Sequence, residues 1–152
     1  MSGKVNSTGA RSGVVGVTDV IFSGYSATNV TATEVVLTWT ENKDSHNAMA
    51  SGVFTVPRAG IYQIILSASI FTVPGHENYA ARCDIRIDDA IVSSSALAGY
   101  KLDDSRELNA TAVYVNQLAL GALIKIESFT AGDTHTIIAG VKTTLNINGY
   151  RH

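Results

Sequence analysis

From Asp19 onward, short apolar runs alternate with turn residues at intervals of about ten, and no run keeps helical period for long. This spacing predicts an all-β sandwich or barrel. The alternation is cleanest in "TIIAGVKTTLNIN", where Ile137, Ala139, Val141, Thr143, Leu145 and Ile147 share one face. Thr136, Lys142, Thr144, Asn146 and Asn148 take the other, so a half-buried strand is expected, kinked at Gly140. "AARCDIRID" repeats the pattern, with Ala81, Cys83, Ile85 and Ile87 inward and Arg82, Asp84, Arg86 and Asp88 in water. Further strands are expected at Val20 to Tyr25, Glu34 to Thr40, Ala90 to Ala98, Thr111 to Leu118 and Leu123 to Phe129, giving eight or more.

"IYQIILSASIF" departs from simple alternation. Tyr62, Ile64, Leu66, Ala68 and Ile70 line one face, while the opposite face, from Ile61 to Phe71, is itself half apolar. A strand apolar on both faces is covered on both faces, and a lone sandwich has only one core to offer. The second cover points to another subunit. Upstream, Pro57 ends one strand before this long one opens, because proline cannot donate to a ladder. The second "FTVP", at Phe71 to Pro74, ends the long strand in the same way and is not an internal repeat.

Composition narrows the picture. The chain has 152 residues, 45% of them apolar and 16% charged. That is enough for one core and too little for two ordinary domains, so residues 19–152 are expected as one domain. Residues 1–18, rich in Gly, Ser and Val with Lys4 and Arg11 as their only charged side chains, read as an extended arm. This first segment lacks the apolar centre of an export signal, which predicts a chain made in the cytoplasm and not exported by that route. A net charge of −2 without Lys/Arg clusters gives no field for nucleic acid, and no stretch has the length and apolarity of a membrane span. With Cys83 alone, neither an intrachain disulfide nor a thiolate metal site can form, and the thiol is expected to pack in the core.

The stretch Leu37 to Ile70 resembles the central signature of the C1q/TNF-like jelly-roll superfamily: a strand, a polar loop, Gly-x-Phe-x-x-Pro, then Gly-x-Tyr opening a long buried strand. Gly52, Phe54, Pro57, Gly60 and Tyr62 occupy those places. "IRIDDAIVSSSALAGY" is similar to the family's middle hairpin, and Leu118, Leu120 and Gly121 match its Leu-x-Leu-x-x-Gly-Asp strand, with Ala122 where the family has Asp. Gly149 and Tyr150 fit its last strand. The resemblance implies a two-sheet antiparallel jelly-roll sandwich of ten strands, assembled as a homotrimer. One sheet would face the threefold axis, with Gln63, Ile65, Ser67 and Ile147 at the trimer interface and Tyr62, Ile64 and Leu66 in the core.

No catalytic motif is present: there is no nucleophile elbow, no zincin helix and no phosphate-binding glycine loop, so an enzyme is not expected. His46, His76, His135 and His152 are scattered, and no metal or cofactor is expected. Asp88/Asp89 and Asp103/Asp104 lack the spacing of a calcium loop and read as a turn and a solvated loop. Asn6, Asn29 and Asn109 begin N-x-[ST] triplets, about as many as this Ser/Thr-rich composition makes by chance.

A jelly-roll head without collagen triplets or heptads resembles the members of the superfamily that bacteriophages carry on their surfaces. The expected function is therefore a non-enzymatic virion protein: a trimeric capsid decoration or cement protein on the outer capsid surface. Its docking arm, with Lys4 and Arg11, would clamp neighbouring copies of the major capsid protein. The second expectation is the receptor-binding head of a tail fibre or spike, using the loop with Lys101, Asp103, Asp104 and Arg106 to grip a host surface glycan or protein. A released C1q-like lectin is the third.

Overall fold

The computed structural model describes residues 18–72, 80–98, 106–130 and 135–150. These residues form twelve strands: β1 (Thr18–Ser26), β2 (Val35–Val36), β3 (Trp39–Asp44), β4 (Met49–Ala50), β5 (Val53–Thr55), β6 (Gly60–Thr72), β7 (Ala80–Ile87), β8 (Ala90–Ala98), β9 (Arg106–Leu118), β10 (Leu123–Thr130), β11 (His135–Ile137) and β12 (Gly140–Tyr150). They make two antiparallel sheets of six. In the first, β9 lies along one side of β6, and β11 and β12 share the other, followed by β1 and β3. In the second, β7 and then β8 flank one side of β10, while β2, β5 and then β4 flank the other.

Alternation along each strand delivers the core between the sheets. Phe22 from β1, Ile64 and Leu66 from β6, and Leu145 and Ile147 from β12 face Phe54, Ile85, Ile124 and Ile126 of the second sheet, all at 0–1% exposure. Phe22 meets Phe54 edge to face, ring centroids 6.0 Å apart, an arrangement that adds about 0.5–1.5 kcal/mol to simple burial. Cys83 is in this core as expected, and burial pushes its thiol up to about 12.

The segment Glu34 to Thr40, expected as one strand, is two. Its β2 part pairs with β10 in the second sheet and its β3 part with β1 in the first. Fully buried Leu37 sits at the crossing. The last strand is also broken, into β11 and β12, so the described residues hold twelve strand segments where the resemblance implied ten strands.

The Gly52 to Tyr62 signature now has a mechanical reading. Gly52 holds φ +82 with the place of a Cβ 2.3 Å from the Leu37 carbonyl oxygen, and a Cβ on Gly60 would stand 2.7 Å from the Tyr150 carbonyl oxygen. Only glycine fits either position. Val56, fully buried, donates from its N–H to Ala122 and accepts from Gly121, tying the Pro57 turn to the turn between β9 and β10.

Three expectations need correction. Ile147, expected at a subunit interface, is a core residue at 0% exposure, because odd positions of β12 point inward and Asn146 and Asn148 point outward. Val141 does not share the face of Leu145 and Ile147, since the chain arches at Gly140 and leaves Val141 80% exposed. Asp84, expected in water, is buried on the outward side of the second sheet beneath neighbouring side chains.

Candidate assembly face

The outward side of the first sheet is built from three rows of paired residues. Val115, Gln63, Asn148 and Ile21 form one; Val113, Ile65, Asn146 and Ser23 the next; Thr111, Ser67, Thr144 and Tyr25 the third. No side chain in these three rows from β9 to β1 carries a charge, although Lys43 of β3 continues the middle row beyond Ser23 and Glu107 stands further along the same face of β9. Gln63, Ile65 and Ser67 are half-buried, while Val113 and Val115 are 52% and 57% exposed. On β9 the inward-register residue Asn116 is exposed as well, between Tyr114, which packs against the core, and buried Leu118. The Tyr150 hydroxyl reaches Gln63 Oε1 at 3.4 Å, within the polar half of the face.

The outward side of the second sheet is different in kind. Arg86 pairs with Glu127 at 2.9 Å, Lys125 with Asp89 at 2.8 Å and Glu127 at 3.4 Å, and Arg82 with Asp84 at 2.9 Å. The Arg82 guanidinium also lies 4.1 Å over the Phe129 ring, and Ser94 donates to Asp84. The ion pair holds the Asp89 carboxyl below the usual range and raises Lys125. Such a lattice suits water, because dehydrating many charges costs more than their mutual attraction returns.

At the end of the sandwich where β1 starts and β12 finishes, a polar chain anchors the Pro57 turn. Ile21 N–H donates to Ser45 Oγ, Ser45 Oγ bonds His46 Nδ1 at 2.7 Å, His46 Nε2 meets Arg58 Nη2 at 2.8 Å, and the Tyr62 hydroxyl donates to the Arg58 carbonyl. Arginine can only donate, so Nε2 accepts and the neutral ring carries its proton on Nδ1, directed at Ser45. His46 in this state takes no proton from the serine, and the pair is a structural brace and not a nucleophile with its base. Burial acts to raise Asp44, but the N–H groups of Met49, Ala48 and His46 outweigh it and hold the carboxyl below its usual range.

Asp88 and Asp89 form the β7–β8 turn at φ 48 and 69, with Asp88 accepting from Leu123 N–H at 2.9 Å. Among the described residues no group of three or more His, Cys, Asp or Glu could hold a metal ion. Among the same residues no helix is long and apolar enough to cross a membrane.

Of the residues singled out from sequence, Gln63, Ile65 and Ser67 come together on the outward face, and Ile147 does not join them. Lys4, Arg11, Lys101, Asp103 and Asp104 lie outside the described residues; Arg106 opens β9 opposite Thr72. Val113 and Val115 were missed. Their signal was the run "AVYV", apolar on both faces like the centre of β6.

No family model matches this chain, and no curated protein is significantly similar to it. Solved structures are. The Eiger TNF of S. frugiperda superposes with a TM-score of 0.63 at 13% identity, over 88% of this chain and 94% of that one. The globular domain of zebrafish complement 1qA gives 0.56 at 17% identity, over 88% and 99%. The fold is the C1q/TNF-like jelly roll. At these identities the C1q/TNF-like likeness concerns backbone architecture. Leu120, matched to the signature from sequence, stands 69% exposed in the turn after β9, and Ala122 in the place of the signature Asp is buried at 9%.

Proposed function

We propose that this chain is a non-enzymatic virion structural protein that self-associates as a trimer through the outward face of its first sheet and decorates or cements a capsid. The observation that carries self-association is the contrast between its two outward faces: one laced with ion pairs, the other without charge where β9, β6, β12 and β1 run side by side around Val113, Val115 and Ile65, its charges lying at Lys43 on one side and at the Glu107–Lys142 pair at one end. Burying apolar surface is favourable at about 25 cal/mol per Å², and the part of a face that is free of charge does not offset that gain with a large dehydration cost.

The two ends of the sandwich support a decorating role. β1 leaves the arm at the end where β6 starts and β12 finishes. β8 ends and β9 begins at the opposite end, beyond the 13 residues of β6, roughly 40 Å away. The arm, with Lys4 and Arg11, would dock on the major capsid protein from the end where β1 begins. Native mass spectrometry of the purified protein, with co-sedimentation on empty capsids, tests both parts. The expected result is a trimer that pellets with capsids and ceases to do so when residues 1–18 are deleted. A monomer, or a trimer whose capsid binding survives the deletion, refutes it.

The same opposition of ends gives the receptor-binding head its basis, since the segment with Lys101, Asp103 and Asp104 is attached away from the arm. Substitutions there that abolish host adsorption and leave capsids intact would favour this second reading.

A further inference from the structure

Two neighbours fix the protonation state of a histidine at the end of the sandwich where β1 starts. His46 lies in the segment 45–48 between β3 and β4, half-buried, with Ser45 Oγ 2.7 Å from its Nδ1 and Arg58 Nη2 2.8 Å from its Nε2. Arginine has no acceptor and keeps its charge, so Nε2 is the bare nitrogen. A second proton on the ring would set one N–H against another across this short distance, and an imidazolium against a guanidinium. The contact exists only with a neutral ring.

Charges of both signs stand beside this ring. Among the described residues, those that face it are Arg58 of the Pro57 turn and Asp44 at the end of β3, whose Oδ1 accepts from the His46 N–H at 3.1 Å. Arg58 favours the neutral ring and Asp44 the charged one, so the side chain has two partners of opposite preference. Each partner is also fastened without the ring. Asp44 Oδ2 accepts from Met49 N–H at 2.9 Å, the Ala48 carbonyl accepts from Thr55 N–H at 2.8 Å, and the Tyr62 hydroxyl donates to the Arg58 carbonyl at 2.8 Å. Loss of the contact between His46 and Arg58 therefore leaves the segment 45–48 and the Pro57 turn both attached to the sandwich.

We infer that His46 is a proton-operated latch: on taking up a proton the ring leaves Arg58, and the segment 45–48 uncouples from the Pro57 turn while the fold persists. Histidine is the side chain that ordinarily changes charge between about pH 5 and 8, and His46 and Arg58 are both partly open to solvent. The other partner of the ring carries the change toward β1, because Ser45 Oγ accepts from Ile21 N–H at 2.9 Å, three residues after Thr18 opens that strand. The output is local in shape and in charge. Below the transition an imidazolium and a guanidinium, no longer in contact, stand together at the end of the sandwich from which β1 starts, a change of the kind that biases a two-state element. The latch belongs to the single subunit and does not depend on self-association.

Nitrogen NMR of the imidazole and of the backbone amides, on the full chain from about pH 8 to about pH 5, tests the latch. At the upper end the His46 ring is expected as the Nδ1–H tautomer. As it takes up its proton, the amides of Arg58, twelve residues away in the chain, and of Ala59 should shift in the same step as the ring. His46→Gln offers Arg58 an acceptor that does not titrate, and should abolish that step at both amides. An Nε2–H tautomer at the upper end overturns the latch, and so does a ring that titrates while Arg58 and Ala59 stay still. A step at Arg58 that persists in His46→Gln assigns the movement to another group and overturns it equally. The tautomer and the shared step are both read on the wild-type protein, so they decide the matter even if the variant does not fold.

Discussion

Ile147 and its neighbours Asn146 and Asn148 differ in fate only because side chains alternate along β12. Truncating Ile147 to Ala removes apolar contacts from both sheets and is expected to cost about 2–5 kcal/mol. Asn148→Ala, on the outward row, should change subunit stability by less than about 0.5 kcal/mol. Urea unfolding in the Val115→Lys background, where assembly does not contribute, separates the two; equal losses would place Asn148 in the core and refute this register. Gly52 makes a second case. An L-residue at φ +82 costs about 1–3 kcal/mol from the backbone alone. A Cβ 2.3 Å from the Leu37 carbonyl oxygen forces the crossing strand to move as well. Gly52→Ala should therefore lower the urea midpoint clearly, and an unchanged midpoint would mean the turn is not held as described.

The strands carry their charges in two ways. On β7 and β10 the ion pairs form a lattice of partly buried charges, whereas among the described residues of the first sheet one bridge, Glu107 to Lys142, runs from β9 across β6 to β12. Its hydrogen bond with Lys142, then the one from Ser69, hold Glu107 below its ordinary value of 4.5. A depressed carboxylate stabilises the fold above the unfolded value and loses that contribution as pH falls through the folded one. Melting temperature should thus fall as pH drops below 4.5, and Glu107→Gln should flatten that acid limb while lowering stability at neutral pH. Lys125 has the opposite sign. Asp89 raises it above 10.5, so its contribution is present below that value and is lost as pH rises through the folded pKa. Lys125→Met should flatten the alkaline limb. Both side chains are partly exposed, so solvent screening keeps either effect small, and a shift of several degrees from either would contradict that geometry.

For the molecule as a whole, the two outward faces make a directional prediction. Val113→Lys or Val115→Lys places a charge on the uncharged part of the first sheet's outward face and should shift native mass toward monomer without unfolding the subunit, as judged by circular dichroism. Lys125→Met on the other sheet should leave the oligomer unchanged. The reverse pattern would move the interface to the second sheet. Period two identified the strands and the core, and the double apolar face of β6 places Ile65, half-buried, on the outward side beside exposed Val113. "AVYV" on β9 carried the same information in a shorter run. Ile147 was misplaced because a pattern tells which residues share a face and not which side that face takes.

Local chemistry in the sequence determined the all-β class, the place of Cys83, and the Gly52 to Tyr62 turn, each of which depends on residues close together in the chain or on their period. The tertiary structure decided the rest. The division of Glu34 to Thr40 between two sheets, the burial of Asp84, the break between β11 and β12 beside β6, and the contrast between outward faces all arise from strands far apart in sequence. Pairing register between such strands sets which side chains become neighbours, and neighbours determine whether a charge is neutralised and whether an apolar residue has already found its cover.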